Sequence, residues 1–372
     1  MSQNKRMLQL DGLRAVAFIM VTLGHAGIAV PLVSLGMAGV GIFFVLSGML
    51  ITGILLDTRE QLLGVDGSRC FALRQFYIRR LLRLAPLLYS VLGLCLLTQL
   101  QPVASTWPWH FLYLSNIYQY LNGWNGWGSN LWTLAIEEQY YLMWPWVVLF
   151  APRRWIVRCL ILGILTAPVF RFLMISLAVS TQGDSRMGDP NLLPVAQFDC
   201  LSLGGLLAAS QRGLVSLSPR KLAGSLGLGG LVCWIVLRMI PGAGYFAETA
   251  QAMFWLLLVH SCAAGVPGYV GTCLASKPMV YLGQISYGGY VLQGFVGGWW
   301  QWLMYACPIP GYRVLPRLGV AEEIYSSTWF LTAVWLIGNL VLASIFWHAV
   351  ELPFNRLKRH FPYMPFRVVT ST

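Results

Sequence analysis

A chain of 372 residues that is 57% hydrophobic and only 10% charged does not have the makings of a soluble domain, in which about 25% of residues are charged. Its net charge of +12 comes from basic residues in short stretches between apolar runs, the topology signal of membrane proteins rather than a nucleic-acid surface. Neither a glycine-rich loop following a strand nor a P-loop is present, so nothing indicates nucleotide binding by a soluble fold.

The apolar run after Lys5 and Arg6 is too long for a signal peptide and lacks a small-residue cleavage site, which predicts an uncleaved membrane segment. A window of about 20 residues predicts spans near 12–33, 36–56, 80–100, 130–150, 156–178, 193–210, 222–240, 247–268, 279–304 and 329–350. The expected fold is therefore an all-α integral membrane protein of about ten helices. With both termini cytosolic, 19 of the 25 basic residues fall inside, in keeping with the positive-inside rule. Residues 1–353 form the membrane domain and 354–372 a basic cytosolic tail. The external side then holds the aromatic-rich loop 101–129, an interfacial belt or a sugar-stacking surface, and the loop 305–328. The eight cysteines show no C-x-x-C spacing, and only Cys307 is clearly external, so neither a disulfide framework nor a metal site is expected.

The first span carries two ionisable groups, Arg14 and His25, eleven residues apart. At about 100° and 1.5 Å per residue they share one helix face and lie about 16 Å apart along the axis. Ionisable groups at such depth usually face a protein-lined cavity; the plainer alternative is a snorkelling arginine and a histidine satisfying a buried hydrogen bond. In the second span, glycines around Gly39, Gly41 and Gly48 predict close helix packing, and Ser47 either packs or lines a cavity. Arg79, Arg80 and Arg83 cluster at the start of the third span, where guanidinium forks suit phosphate oxygens or, more simply, anionic lipid.

The fourth span opens with Ser129 or Asn130 as N-cap and then holds Glu137, Glu138 and Tyr141. Counted along ideal helices, Glu137 and His25 lie at matching depths of about 10 and 12 Å from their external ends. A carboxylate orienting an imidazole is an arrangement for general-base catalysis, with a structural Glu–Arg or Glu–His pair as the competing reading. Asp199 is a further buried carboxylate, His348 and Glu351 stand three residues apart at the end of the last span, and His260 is read as a satisfied core residue.

In order along the chain stand Leu-Asp-Gly-Leu-Arg14 with His25 beyond it, Phe43-Phe44-Val45-Leu46-Ser47-Gly48, Arg80-x-x-Arg83-x-x-Pro86, Leu131-Trp132-Thr133-Leu134-x-x-Glu137-Glu138-Gln139-Tyr140-Tyr141, Leu282-Gly283-x-x-Ser286-Tyr287 and Glu351-x-Pro353. This set resembles the membrane-bound acyltransferase 3 family, whose multi-span members O-acylate bacterial glycans and other acceptors. The resemblance implies a cytosolic acyl-CoA donor, most simply acetyl-CoA, and an external acceptor such as lipopolysaccharide O-antigen, reached from the bacterial inner membrane through a lipid-linked glycan. On this reading His25 deprotonates the acceptor hydroxyl and Glu137 orients it, with Glu138 as its substitute; Arg14, Arg80, Arg83 and Arg79 hold the donor; Glu138, Tyr141 and Ser47 line the substrate path. No metal and no nucleic-acid partner is implied. Two departures stand out: Gln293 occupies a position where many relatives carry a histidine, and no SGNH-type esterase domain follows, so the membrane domain is expected to handle the acceptor itself. Buried His, Glu and Arg also make proton relays, so a proton-coupled transporter is the alternative class, against which the absence of an inverted repeat speaks.

Overall fold

The computed structural model describes residues 3–28, 30, 31, 33–62, 68–123, 126–180, 188–240, 242–301 and 328–363. Cys307, most of the loop 305–328 and the end of the tail lie outside the described residues. Within them the chain is all helix, with a single isolated bridge between Val30 and Val33. The helices are α1 Gln3–His25, α2 Leu35–Gln61, α3 Ser68–Leu97, α4 Val103–Phe111, α5 Ser115–Asn122, α6 Leu131–Phe150, α7 Arg153–Ser180, α8 Phe198–Gln211, α9 Pro219–Arg238, α10 Gly244–Ala264, α11 Gly268–Leu274, α12 Lys277–Gln301, α13 Thr328–Phe346 and α14 Leu352–Leu357. A π-helical turn, Trp347–Glu351, joins the last two.

Each of the ten expected spans has a helix. Five described segments are long and apolar enough to cross a membrane: Leu35–Gln61, Arg69–Leu97, Arg153–Leu177, Pro219–Arg238 and Phe330–His360. The pair α10–α11, bent by 86° at a short break, is a sixth candidate.

Three expectations change. The first span ends at His25 rather than near residue 33, because Gly27 takes a φ of +80°. The amides of Gly27 and Ile28 then bond back to the carbonyls of Gly24 and Leu23, the pattern of a Schellman cap with glycine at C′. His25 is therefore the last residue of α1 and exposed, not eight residues deep. The stretch 193–210 forms a 3₁₀ turn, Pro194–Gln197, and then α8, whose 14 residues reach only about 21 Å. Its residues from Asp199 to Ser210 are all buried, so α8 is covered by protein rather than lipid. The stretch 101–129, expected as a loop, is built partly of the short helices α4 and α5.

Small residues let α1, α2 and α8 approach closely, as expected of the glycines in the second span. A β-carbon on Gly39 would lie 2.4 Å from the Ala17 carbonyl oxygen, one on Gly48 1.9 Å from that of Leu201, and one on Gly204 2.0 Å from that of Val45. Backbone cannot retreat as a side-chain tip can, so Gly48→Ala should destabilise at the upper end of the roughly 1–3 kcal/mol typical of overpacking. Gly224→Ala on α9, where nothing lies within 4 Å, should be neutral or gain up to about 1 kcal/mol of helix propensity. Thermal melts of the two variants in one detergent check this; equal melts would contradict the close α2–α8 crossing.

Candidate active site

Helices α1, α2, α3, α6 and α12 enclose a central cavity of about 100 Å³. Its apolar wall includes Val40, Phe43, Phe44 and Leu134, and its polar groups include Arg14, Ser47, Arg80, Arg83, Glu137 and Tyr141. Six of the residues singled out from sequence thus converge from four helices. Arg14, Arg80 and Arg83 make no hydrogen bond or ion pair among the described residues; the Arg80 guanidinium instead sits 4.5 Å from the centre of the Tyr141 ring. Three guanidinium groups face one carboxylate here, an excess of positive charge around a small, largely apolar space.

Glu137 does not orient His25. It accepts a 2.6 Å hydrogen bond from the Ser47 hydroxyl, while His25 lines a separate cavity of about 430 Å³ with Gly24, Val33, Ser34, Ser129, Asn130 and Trp132 among its walls. The expected direct pairing fails because α1 ends at His25, which leaves the imidazole at a helix terminus beside the start of α6, and Glu137 lies two turns further along α6. The two cavities are contiguous all the same: Val40 and Tyr290 line both. Tyr290 is held on that partition by α6, its hydroxyl accepting from Thr133 Oγ1 at 2.6 Å and donating to the Asn130 carbonyl at 3.0 Å.

Arg79, expected beside Arg80 and Arg83, points away from the cavity. Its Nη1 donates to the carbonyls of Lys358 and Phe361, and its guanidinium covers the Tyr363 ring. One position earlier on the helix than Arg80, it falls on a different face, and it clamps the C-terminal segment to α3. Glu138 likewise leaves the central cavity; its buried Oε1 has no hydrogen-bond partner among the described residues, and Arg80 is the cation whose charge acts on it.

A third cavity of about 230 Å³ adjoins the central one and shares Arg14, Arg83 and Tyr287 with it. Asp11, Gln284, Trp347, Glu351 and Asn355 complete its lining. Glu351 reaches it from the π-helical turn, a one-residue excess of the kind often found at functional sites. Sequence reasoning assigned no place in the site to Tyr287, Tyr290 or Glu351, although Tyr287 and Glu351 stand in the motifs; a carboxylate closing an apolar span was the available signal. His348 is apart from this site, stacked on Tyr281, and His260 keeps its Nδ1 without a partner among the described residues.

Comparison with known proteins gives one consistent answer. The sequence model of the acyltransferase 3 family, described as an acyltransferase domain, matches residues 7–348. The chain is 26% identical over 376 residues to the "Putative peptidoglycan O-acetyltransferase YrhL" of Bacillus subtilis, covering 92% of this chain and 54% of that protein. Over 156 residues it is 30% identical to the "Peptidoglycan O-acetyltransferase OatA" of Listeria monocytogenes, covering 38% of this chain and 24% of that protein. An uncharacterised protein of Haemophilus influenzae is 31% identical over 176 residues, or 42% of this chain and 69% of that one. The chain thus spans about half the length of YrhL and a quarter of OatA. No solved structure matches it.

Proposed function

Because this chain belongs to the acyltransferase 3 family, we propose that it moves an acyl group, most simply acetyl, from cytosolic acyl-CoA to a hydroxyl of a cell-envelope glycan. The working topology is ten spans with both termini in the cytosol of a bacterial inner membrane. The acceptor is a glycan of the class named for the relatives, peptidoglycan, in preference to the O-antigen expected from sequence, for which no relative speaks.

The observation that carries this reading is the trio Arg14, Arg80 and Arg83, lining one cavity without a hydrogen-bonding partner among the described residues. Guanidinium forks left unpaired suit a polyanion that binds bidentately, as the phosphates of CoA do. The narrow apolar passage beyond them suits a pantetheine arm and a short acyl group, and it ends at Val40 and Tyr290, on whose far side His25 stands. A ring nitrogen of His25 takes the proton from the acceptor hydroxyl, whose oxygen attacks the thioester carbonyl carbon. The carbon–sulfur bond then breaks, the ester forms, and the imidazolium returns the proton to the departing CoA thiolate. Contact across the partition requires the Tyr290 side chain to leave its bonds to Thr133 and Asn130 or the thioester to pass beside it.

Donor binding tests this directly. Charge-assisted hydrogen bonds are worth about 1.5–3 kcal/mol each, so Arg83→Met or Arg80→Met should weaken acetyl-CoA binding roughly 10- to 100-fold in calorimetry on nanodisc-embedded protein. Arg83→Lys should recover only part, since lysine keeps the charge but not the fork. Arg79→Met, whose side chain serves the C-terminal segment, should bind acetyl-CoA like wild type. Equal affinity in Arg80→Met, Arg83→Met and wild type would refute the donor site.

A further inference from the structure

Val40 and Tyr290 are the two described residues that line both the central cavity and the cavity of His25. The His25 side is open to solvent, because exposed His25, Ile28 and Val30 stand in its wall. The central side is the smaller and largely apolar space to which the thioester is assigned. A valine side chain and a tyrosine ring thus stand between the thioester and water.

The ring is latched at its tip. Its hydroxyl accepts from Thr133 Oγ1 at 2.6 Å and donates to the Asn130 carbonyl at 3.0 Å, both residues being buried at the start of α6. The backbone beneath the ring is fixed separately. Asn130 Nδ2 donates to the Tyr290 carbonyl, and the Gly128 amide donates to that of Gly294 at 3.0 Å. A β-carbon on Gly294 would lie 1.9 Å from Asn130 Oδ1, so α12 and the start of α6 are in contact. The movable part is therefore the ring, which meets Phe43 edge-on with ring centres 6.4 Å apart. Two neutral hydrogen bonds bias a two-state ring by roughly 5- to 150-fold. Such a latch is closed most of the time and still opens often enough for turnover.

We propose that Tyr290 is the specificity-determining residue that makes this site a transferase rather than a thioesterase. Resting on the acyl-transfer reading, this assigns the ring a task that His25 itself creates. A general base in a solvent-accessible cavity activates water as readily as a sugar hydroxyl. Water would add through its oxygen to the thioester carbonyl carbon, and the carbon–sulfur bond would break. The proton taken by His25 would pass to the CoA thiolate, and acetic acid would leave. With the latch closed, that water does not reach the thioester. A glycan that fills the cavity of about 430 Å³ displaces the water, so an opening of the ring then presents the thioester to a sugar hydroxyl.

Two assays on the full-length protein test the latch. In the first, Ser47→Cys on the central side and His25→Cys on the other are treated from outside sealed spheroplasts with sulfonatoethyl methanethiosulfonate, an anionic reagent that does not cross membranes. Mass spectrometry of the peptide reads the labelling. His25→Cys should react rapidly whatever stands at position 290. Ser47→Cys should react slowly beside Tyr290 and at least about fivefold faster beside Tyr290→Phe or Tyr290→Ala. Should both of these fail to fold, Thr133→Val removes one latch bond and should also speed the labelling. Rapid labelling of Ser47→Cys beside the native tyrosine, or no acceleration in any of the three variants, overturns the proposal. An unreactive His25→Cys would overturn the outward-facing topology and the proposal with it.

The second assay follows acetyl-CoA in nanodiscs without glycan. Tyr290→Phe should release CoA thiol and free acetate about 5- to 150-fold faster than wild type, and adding His25→Ala should abolish the gain. A ring that only packs α12 on α6 would lower the melting temperature and leave acetate release unchanged, which contradicts the proposal. No transfer to glycan by wild type, beside the expected labelling pattern, would refute the acyl-transfer reading and leave the latch between the cavities standing.

Discussion

Arg171→Met should destabilise the protein by about 3–5 kcal/mol, the cost of removing one partner of a buried ion pair, and so lower its melting temperature and yield sharply. Arg171 is 2% exposed and Asp199 fully buried, and Nη2 donates to Asp199 Oδ2 at 2.7 Å and to Thr249 Oγ1 at 2.6 Å. Nε donates to the Tyr245 carbonyl and approaches Glu248 Oε2, while Nη1 donates to the Ala196 carbonyl. One guanidinium therefore joins α7, the 3₁₀ turn before α8, α8 and α10. With methionine in its place, the Asp199 carboxylate keeps, among the described residues, the Thr249 hydroxyl and the Cys200 amide as donors, and the Tyr245 and Ala196 carbonyls lose the arginine. Adding Asp199→Asn removes the uncompensated charge, so the double variant should regain much of the loss. Thermal unfolding of both in detergent decides it: an unchanged melt in Arg171→Met would show that this network does not hold the helices together.

His25→Ala should lower acyl transfer by at least about 100-fold, since a positioned general base contributes roughly 10²–10⁴, while acetyl-CoA binding stays within about twofold of wild type. The separation of the effects follows from the geometry, because His25 and the three arginines line different cavities that meet only at Val40 and Tyr290. The imidazole is exposed at the end of α1, so its removal opens no buried cavity. Transfer and binding falling together would place His25 on the donor rather than the acceptor.

The helices and most of the lining of the central cavity were legible because both are local. Apolar runs mark spans whatever packs against them, and Arg14, Ser47, Arg80, Arg83, Glu137 and Tyr141 belong to motifs whose spacing alone puts them on inward faces. What stayed hidden depends on pairing between distant segments. Ideal helix counting matches His25 in depth to Glu137 only by ignoring the Gly27 cap. Arg79 was grouped with its neighbours by adjacency, although consecutive helical residues diverge by about 100°. Asp199 was noticed without its partner; the missing clue was Arg171, a lone cation inside an apolar run, which such a setting obliges to find a carboxylate. That α8 is enclosed by other helices was not legible, because burial against protein and against lipid select the same residues.

Acyl-CoA on the arginine side and a glycan hydroxyl at His25 are the two substrates this chain is proposed to join. The most direct test is the release of CoA thiol from acetyl-CoA by wild-type protein and His25→Ala in lipid nanodiscs, each with and without purified peptidoglycan fragments. The expected result is release that requires both His25 and glycan, with the acetyl group recovered as an ester on the glycan. Release that is equal in His25→Ala, or acetyl recovered only as free acetate whether or not glycan is present, would contradict it.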